Sequence, residues 1–273
     1  MRKEDYFSTG TFYFHHNSSD VPSEEFILHC HAFYEIFHLI QGDVEYRIGG
    51  RKFSLLPGSI LLIPQDIIHG VKINSSALYH RFSIHFLPEQ IPEDIRISLL
   101  SPFHDEAIYY PRTAGYQIDH YYQSILECMK IKPGLQEIAI SSRLIALLTQ
   151  ISRMHDATEA HEADYNPHVQ EALSMISSAS EGFSLKDIAE KCRISENHLN
   201  HLFKRYTGTT VKHYMQVKRL VQAQEALRDG MSASIVSDRF GWQDYSSFYR
   251  AYRKMFGVSP TTLAFREQEL PPH

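Results

Sequence analysis

The sequence predicts a multidomain chain. An all-β unit spans residues 1–115, a helical pair 116–154, a polar linker 155–166 and an all-α unit 167–270. Three observations carry this division. Short apolar runs broken by Gly and Pro turns fill the first part, the apolar period lengthens from that of a strand to that of a helix after residue 117, and a repeat occupies the last hundred residues.

The β reading begins with Phe26-Ile27-Leu28, Glu35–Ile40, Ser59–Ile63 and Tyr79–Phe86, separated by Gln41-Gly42-Asp43, Gly49-Gly50 and Pro57-Gly58. Runs and turns at that spacing belong to a sandwich or barrel. Ile118, Tyr121, Tyr122, Ile125, Leu126 and Met129 then fall at helical spacing, and Pro133-Gly134 breaks the helix. Ile138, Ile140, Leu144, Leu147, Leu148 and Ile151 resume it. This pair packs either on its own domain or, through a leftover apolar stripe, as a dimer seam. Residues 155–166 are polar and acidic, and Pro167 suits the first position of a helix.

Composition narrows the function classes. A chain of 273 residues with 43% hydrophobic and 22% charged side chains can bury ordinary cores, which excludes disordered, collagen-like and disulfide-scaffold proteins. Cys30, Cys128 and Cys192 form no C-x-x-C pair, which excludes a cysteine zinc finger and favours a reducing compartment. No apolar run reaches membrane-spanning length, and Met1–Asp5 lacks the start of a signal peptide, so the expected location is the cytoplasm. The net charge of −5 is unevenly spread: residues 180–273 carry 14 Lys and Arg against 10 Asp and Glu. Thirteen of the 17 histidines precede residue 180. A basic end on an acidic, histidine-rich one suggests two partners, the basic end being a candidate for nucleic acid.

The repeat sharpens that suggestion. Ser184–Ala189 aligns with Ser232–Ser237, and further on Leu199, Phe203, Lys204 and Gly208 align with Phe248, Tyr252, Arg253 and Gly257. Each copy reads as a short helix, a tight turn and a second helix. Ser184 with Asp187 forms a capping box in the first copy, Ser195 caps its second helix, and Gly241 takes the turn of the second copy. This is the pattern of a helix-turn-helix, whose second helix enters the major groove.

These residues resemble the DNA-binding domain of the AraC/XylS family of bacterial transcription regulators. Leu185-x-x-Ile188-Ala189, Ile194-Ser195, Leu199-x-x-Leu202-Phe203-Lys204, Arg219, Ala223, Gly241-Trp242 and Val258-Ser259-Pro260 carry the resemblance, which covers about residues 167–266. The chain departs from the pattern at Arg193, in place of a turn glycine, and at Ser237 and Trp242, in place of Ala and Phe. Arg193 is therefore expected in a left-handed conformation. If Leu199, Leu202 and Phe203 face inward, the DNA-facing set on the first helix is Glu196, Asn197, Asn200, His201, Lys204 and Arg205. On the second it is Tyr245, Ser246, Tyr249, Arg250 and Arg253. The resemblance implies double-stranded DNA as partner, a footprint of roughly 17–20 bp, a homodimer, an activator contacting RNA polymerase, and a small-molecule effector, with a sugar favoured.

The N-terminal part holds a second pattern. His29 and His31 share a face if extended, and Glu35 and His69 can converge on them across a barrel. The pattern resembles the cupin fold, a small jelly roll. That resemblance implies a ligand-sensing barrel in which these four residues, with the aromatics Tyr46 and Phe82, line the effector site. Three imidazoles and a carboxylate also suit a divalent Zn, Ni, Mn or Fe ion, so His29, His31, Glu35 and His69 are candidate metal ligands too. A third reading makes them polar lining alone. His15, His16, His38, His80, His85, His104 and His120 are read as structural. The expected function is a ligand-responsive, sequence-specific DNA-binding transcription regulator and not an enzyme. The alternatives are a cupin-type metalloenzyme with an accessory DNA-binding domain, and a metal-sensing regulator.

Overall fold

The computed structural model describes residues 3–19, 28–104, 108–157, 163–178 and 183–262. A β-rich domain of two sheets is followed by a helical domain carrying two helix-turn-helix units. The first sheet comprises β1 (Lys3–Ser8), β2 (Phe12–Ser19), β8 (Tyr79–Phe86), β3 (Tyr34–Gln41), β6 (Ile60–Ile63) and β9 (Tyr109–Tyr110), in that spatial order. The second comprises β10 (Asp164–Tyr165), β5 (Arg51–Leu55), β4 (Val44–Ile48) and β7 (His69–Ile73). Neighbouring strands are antiparallel throughout both sheets.

Both faces of the first sheet are covered, and strand alternation sorts its side chains between them. Phe14, Ile36, Phe82, Ile84 and Phe86 point one way into an apolar layer completed by α2 (Ile118–Cys128) and α3 (Pro133–Ala157). Phe82 stacks on Tyr122 of α2 with ring centroids 4.8 Å apart. Tyr13, His15, Asn17, Glu35, Phe37, Arg81, Ser83 and His85 occupy the alternate positions on β2, β3 and β8. These face the second sheet, as the Phe37–Tyr46 ring contact at 4.9 Å shows. A helix, α1 (Glu93–Leu100), lies within the stretch that the apolar runs had marked as β.

The apolar stripe of α3 is spent inside the molecule. Ile140, Leu144, Leu147, Leu148 and Ile151 are fully buried in the β-domain core, and the large apolar side chains that α3 leaves in solvent are Leu135 (63% exposed) and Ile138 (69%). Part of the expected linker is structured as well: β10 pairs with β5, so the chain entering the helical domain is tied to the second sheet.

The helical domain comprises α4 (Pro167–Ser178), α5 (Leu185–Lys191), α6 (Glu196–Thr207), α7 (Val211–Arg228), α8 (Ala233–Arg239) and α9 (Tyr245–Phe256). Its local signals act as the residues dictate. Ser184 and Asp187 form the reciprocal capping box of α5, and Ser195 accepts the His198 N–H at the start of α6. Arg193 has φ +56° in the first turn, where its side chain is strained, and Gly241 has φ +70° in the second, where glycine is not. One cluster packs α4, α5, α6 and the start of α7, and another packs the end of α7 with α8 and α9.

Candidate effector site and nucleic-acid interface

Inside the β domain, side chains from four strands and one loop meet at Glu35, a carboxylate only 1% exposed. His31, His69 and His85 each place Nε2 at 3.3 Å from Glu35 Oε2. On the other oxygen, Ser83 donates to Oε1 at 3.0 Å and the Tyr46 hydroxyl donates at 3.4 Å. His29 is bridged to His69 through the backbone, with ring centroids 4.2 Å apart. One ligand atom from each of His29, His31, Glu35 and His69 lies within 4.8 Å of all the others, and all four residues are buried.

The hydrogen bonds behind the rings decide where the protons sit. His31 Nδ1 lies 3.0 Å from the Phe33 carbonyl and His69 Nδ1 lies 2.7 Å from the Ile67 carbonyl. A carbonyl only accepts, so each Nδ1 carries the hydrogen and a neutral ring turns an Nε2 lone pair towards Glu35. Ser83 spends its proton on Glu35, so His85 Nδ1, at 3.4 Å from Ser83 Oγ, is the donor in that contact too. Burial, only partly countered by Glu35, lowers the His31 pKa to about 4 and keeps that ring neutral. Burial pushes the Glu35 carboxyl upward, and His85, His31 and His69 pull it well below the usual range when they carry protons. Lone pairs around one buried carboxylate repel unless a positive charge or donor sits among them. The residues therefore fit a divalent cation, with backbone carbonyls fixing two of the ligand tautomers. They also fit hydroxyl groups of a polar ligand.

The structure thus brings His29, His31, Glu35, His69 and Tyr46 together. It does not bring Phe82 to them. That ring lies on the opposite face of β8, between His16 at 4.5 Å and Tyr122, because successive residues of a strand point to opposite sides. Residue-by-residue reading missed His85 and Ser83, which reach Glu35 directly. The available signal was the period-two polar row Tyr79, Arg81, Ser83, His85 along β8.

The strands carrying this centre also touch the helical domain. Leu28 and Cys30 alternate with His29 and His31, and Ile68 precedes His69. These three side chains pack in the same apolar cluster as Val169, Leu173, Tyr214 and Val217 of α4 and α7. At the next contact, Arg47 donates from Nη1 to the Lys204 carbonyl at 3.0 Å in the last turn of α6, a favourable place for a cation. Tyr206 donates to Asp164 at 3.1 Å.

On α6, Glu196, Asn197, His201, Lys204 and Arg205 are exposed, and on α9 Tyr245, Ser246, Arg250 and Arg253 are exposed with Tyr249 half-buried. Asn200 is half-buried, and its Oδ1 accepts the Val211 N–H at 3.2 Å, so this oxygen caps the first turn of α7.

Comparison with known proteins matches both domains. The model of the AraC-like ligand binding domain matches residues 12–176, more than half of the chain, and a helix-turn-helix domain model matches 170–266. The chain belongs to the AraC family. It is a ligand-responsive, DNA-binding transcription regulator. The arabinose operon regulatory protein of Escherichia coli K12 is 29% identical over 230 residues, covering 81% of this chain and 77% of that protein. The melibiose operon regulatory protein of the same strain is 21% identical, covering 85% and 81%. The transcriptional activator RhaR of Yersinia pestis (bv. Antiqua, strain Angola) is 24% identical, covering 88% and 84%. Among the described residues of this AraC-family chain, no helix is long and apolar enough to cross a membrane.

Proposed function

We propose that this regulator senses a carbohydrate inside its β domain and transmits occupancy to operator DNA through the packed boundary with α4 and α7. The observation that carries the reading is the alternation along residues 28–31 and 68–69. His29, His31 and His69 supply the polar centre, while Ile68 is buried in the apolar cluster of the helical domain and Leu28 and Cys30 pack against it. An effector that prefers one arrangement of the two domains shifts their population, and with it the DNA affinity. Sugar as the effector class and activation as the outcome are supported by the names of the relatives, the arabinose and melibiose operon regulators and the activator RhaR.

In this reading Asn197, His201, Arg250 and Tyr249 read base edges, and Lys204, Arg205 and Arg253 hold phosphates. The protein works in the cytoplasm as a homodimer, with Leu135 and Ile138 as exposed apolar residues one helical turn apart, and activates through RNA polymerase. The test is recovery of genomic fragments by the purified full chain at fixed salt, with and without neutral sugars. Enrichment of a few promoters sharing a site near 20 bp, changed by a sugar, is the expected result. Fragments recovered at random would overturn it.

A second reading of the same centre is favoured by its converging lone pairs: His29, His31, Glu35 and His69 hold a divalent metal ion. When bound, such an ion supplies a Lewis-acidic anchor for a ligand hydroxyl. The chain's own part is to fix the ring tautomers through the Phe33 and Ile67 carbonyls and to keep Glu35 out of water.

A further inference from the structure

Arg81 is the largest side chain buried almost completely in the β domain, 1% exposed, and it points into the same interior as Glu35. Its Nη2 meets His15 Nδ1 at 3.1 Å, and its guanidinium lies 5.9 Å from the centre of the Phe37 ring. Nε and Nη1 complete no hydrogen bond of good geometry among the described residues, although the guanidinium makes a looser contact with the Tyr79 hydroxyl and its charge acts on that phenol. No carboxylate among the described residues forms an ion pair with Arg81, and Glu35 is engaged by Ser83, Tyr46 and the histidines. Asn17, the cross-strand partner of Arg81, is likewise buried with an unpartnered Oδ1.

Burying a guanidinium with no carboxylate in direct contact is costly, and a hydrophobic residue of similar size serves packing better. The planar fork, whose Nε and Nη1 complete no well-formed bond, is suited to one kind of guest, an oxyanion held by paired hydrogen bonds. Arg81 lies two positions along β8 from Ser83, a separation of about 7 Å, comparable to the length of a sugar-sized molecule. We infer that the effector is anionic: a small polyhydroxylated molecule whose carboxylate or phosphate pairs with Arg81 while its hydroxyls meet the Ser83–Glu35–histidine end. The inference rests on reading the β-domain interior as the effector site.

The test is thermal denaturation of the full chain and of Arg81→Met and Arg81→Lys against hexuronates, hexose phosphates and the corresponding neutral hexoses. The expected result is stabilisation by one acid class, with affinity reduced about 30-fold or more in Arg81→Met and less in Arg81→Lys. Which class stabilises distinguishes carboxylate from phosphate. A neutral hexose stabilising wild type and Arg81→Met alike overturns the anionic effector and leaves the carbohydrate reading intact. If no sugar of any class binds, the carbohydrate reading fails, and the unliganded variants decide the role of Arg81. A melting temperature raised in Arg81→Met upholds a cation kept for an anion, and a lowered one shows an arginine serving the fold.

Discussion

Cys30 and His31 are chain neighbours that serve different domains. Cys30 packs with the apolar cluster of α4 and α7, and His31 places its Nε2 3.3 Å from Glu35 inside the β domain. Burial, reinforced by Asp66 and by Glu225 of α7, pushes the Cys30 thiol well above its ordinary range, so it behaves as a small apolar contact. Under the proposed function, a guest that displaces His31 acts on the α4–α7 packing through Cys30, its chain neighbour.

Asn200 and Arg250 separate folding from recognition. Asn200→Ala removes the acceptor for the Val211 N–H and is expected to lower stability by about 1 kcal/mol. Arg250→Ala is expected to leave the melting temperature unchanged and weaken operator binding by about 1–3 kcal/mol. Chemical denaturation beside gel-shift titration checks both, and the reverse pattern would contradict the assignment.

Ser237 is buried at the crossing of α8 with its neighbours, and its hydroxyl has no partner among the described residues. Ser237→Ala is therefore expected to stabilise the chain by about 1 kcal/mol. A urea midpoint that falls would show a hidden hydrogen bond.

Acid should destabilise the β domain before its carboxylates titrate. Burial, then the charge of Arg81, lowers His15 to about 4, and burial lowers His38 to about 4, from an ordinary 6.5. Between pH 6.5 and 4 the unfolded chain binds protons that the folded chain refuses. Stability is complete above 6.5 and is lost as pH falls towards 4, by up to about 3 kcal/mol for each residue. Urea midpoints at pH 7.5, 6 and 5 should fall in that order, and a flat series would mean that the rings are solvated.

Local features of the fold were legible in the sequence because their causes are local. Ser184, Asp187, Ser195, Arg193 and Gly241 act through bonds within a few residues. His29, His31, Glu35 and His69 were readable from strand period and spacing. His85 and Ser83 reach the centre, and Arg81 the same interior, through the pairing of β8 with β3, a non-local register. Phe82 was misplaced because the first sheet is buried on both faces, so apolar character does not say which way a residue points. Asn200 needed the position of α7, which no pattern within α6 contains.

If a metal occupies the Glu35 centre, protein purified without chelator should carry about one divalent ion per chain, lost in His31→Ala and His69→Ala. Elemental analysis decides it, and a metal-free wild-type chain would leave the centre to hydroxyl-bearing ligands.

The measurement that bears most directly on coupling is operator affinity of the full chain beside Leu28→Ala/Ile68→Ala, at one fixed salt concentration. Both proteins should select the same genomic fragments, because the exposed faces of α6 and α9 are untouched. Their affinities should differ at least severalfold, because the contact that ties the histidine strands to α4 and α7 has been cut. Identical affinities for a shared site would contradict transmission through this boundary.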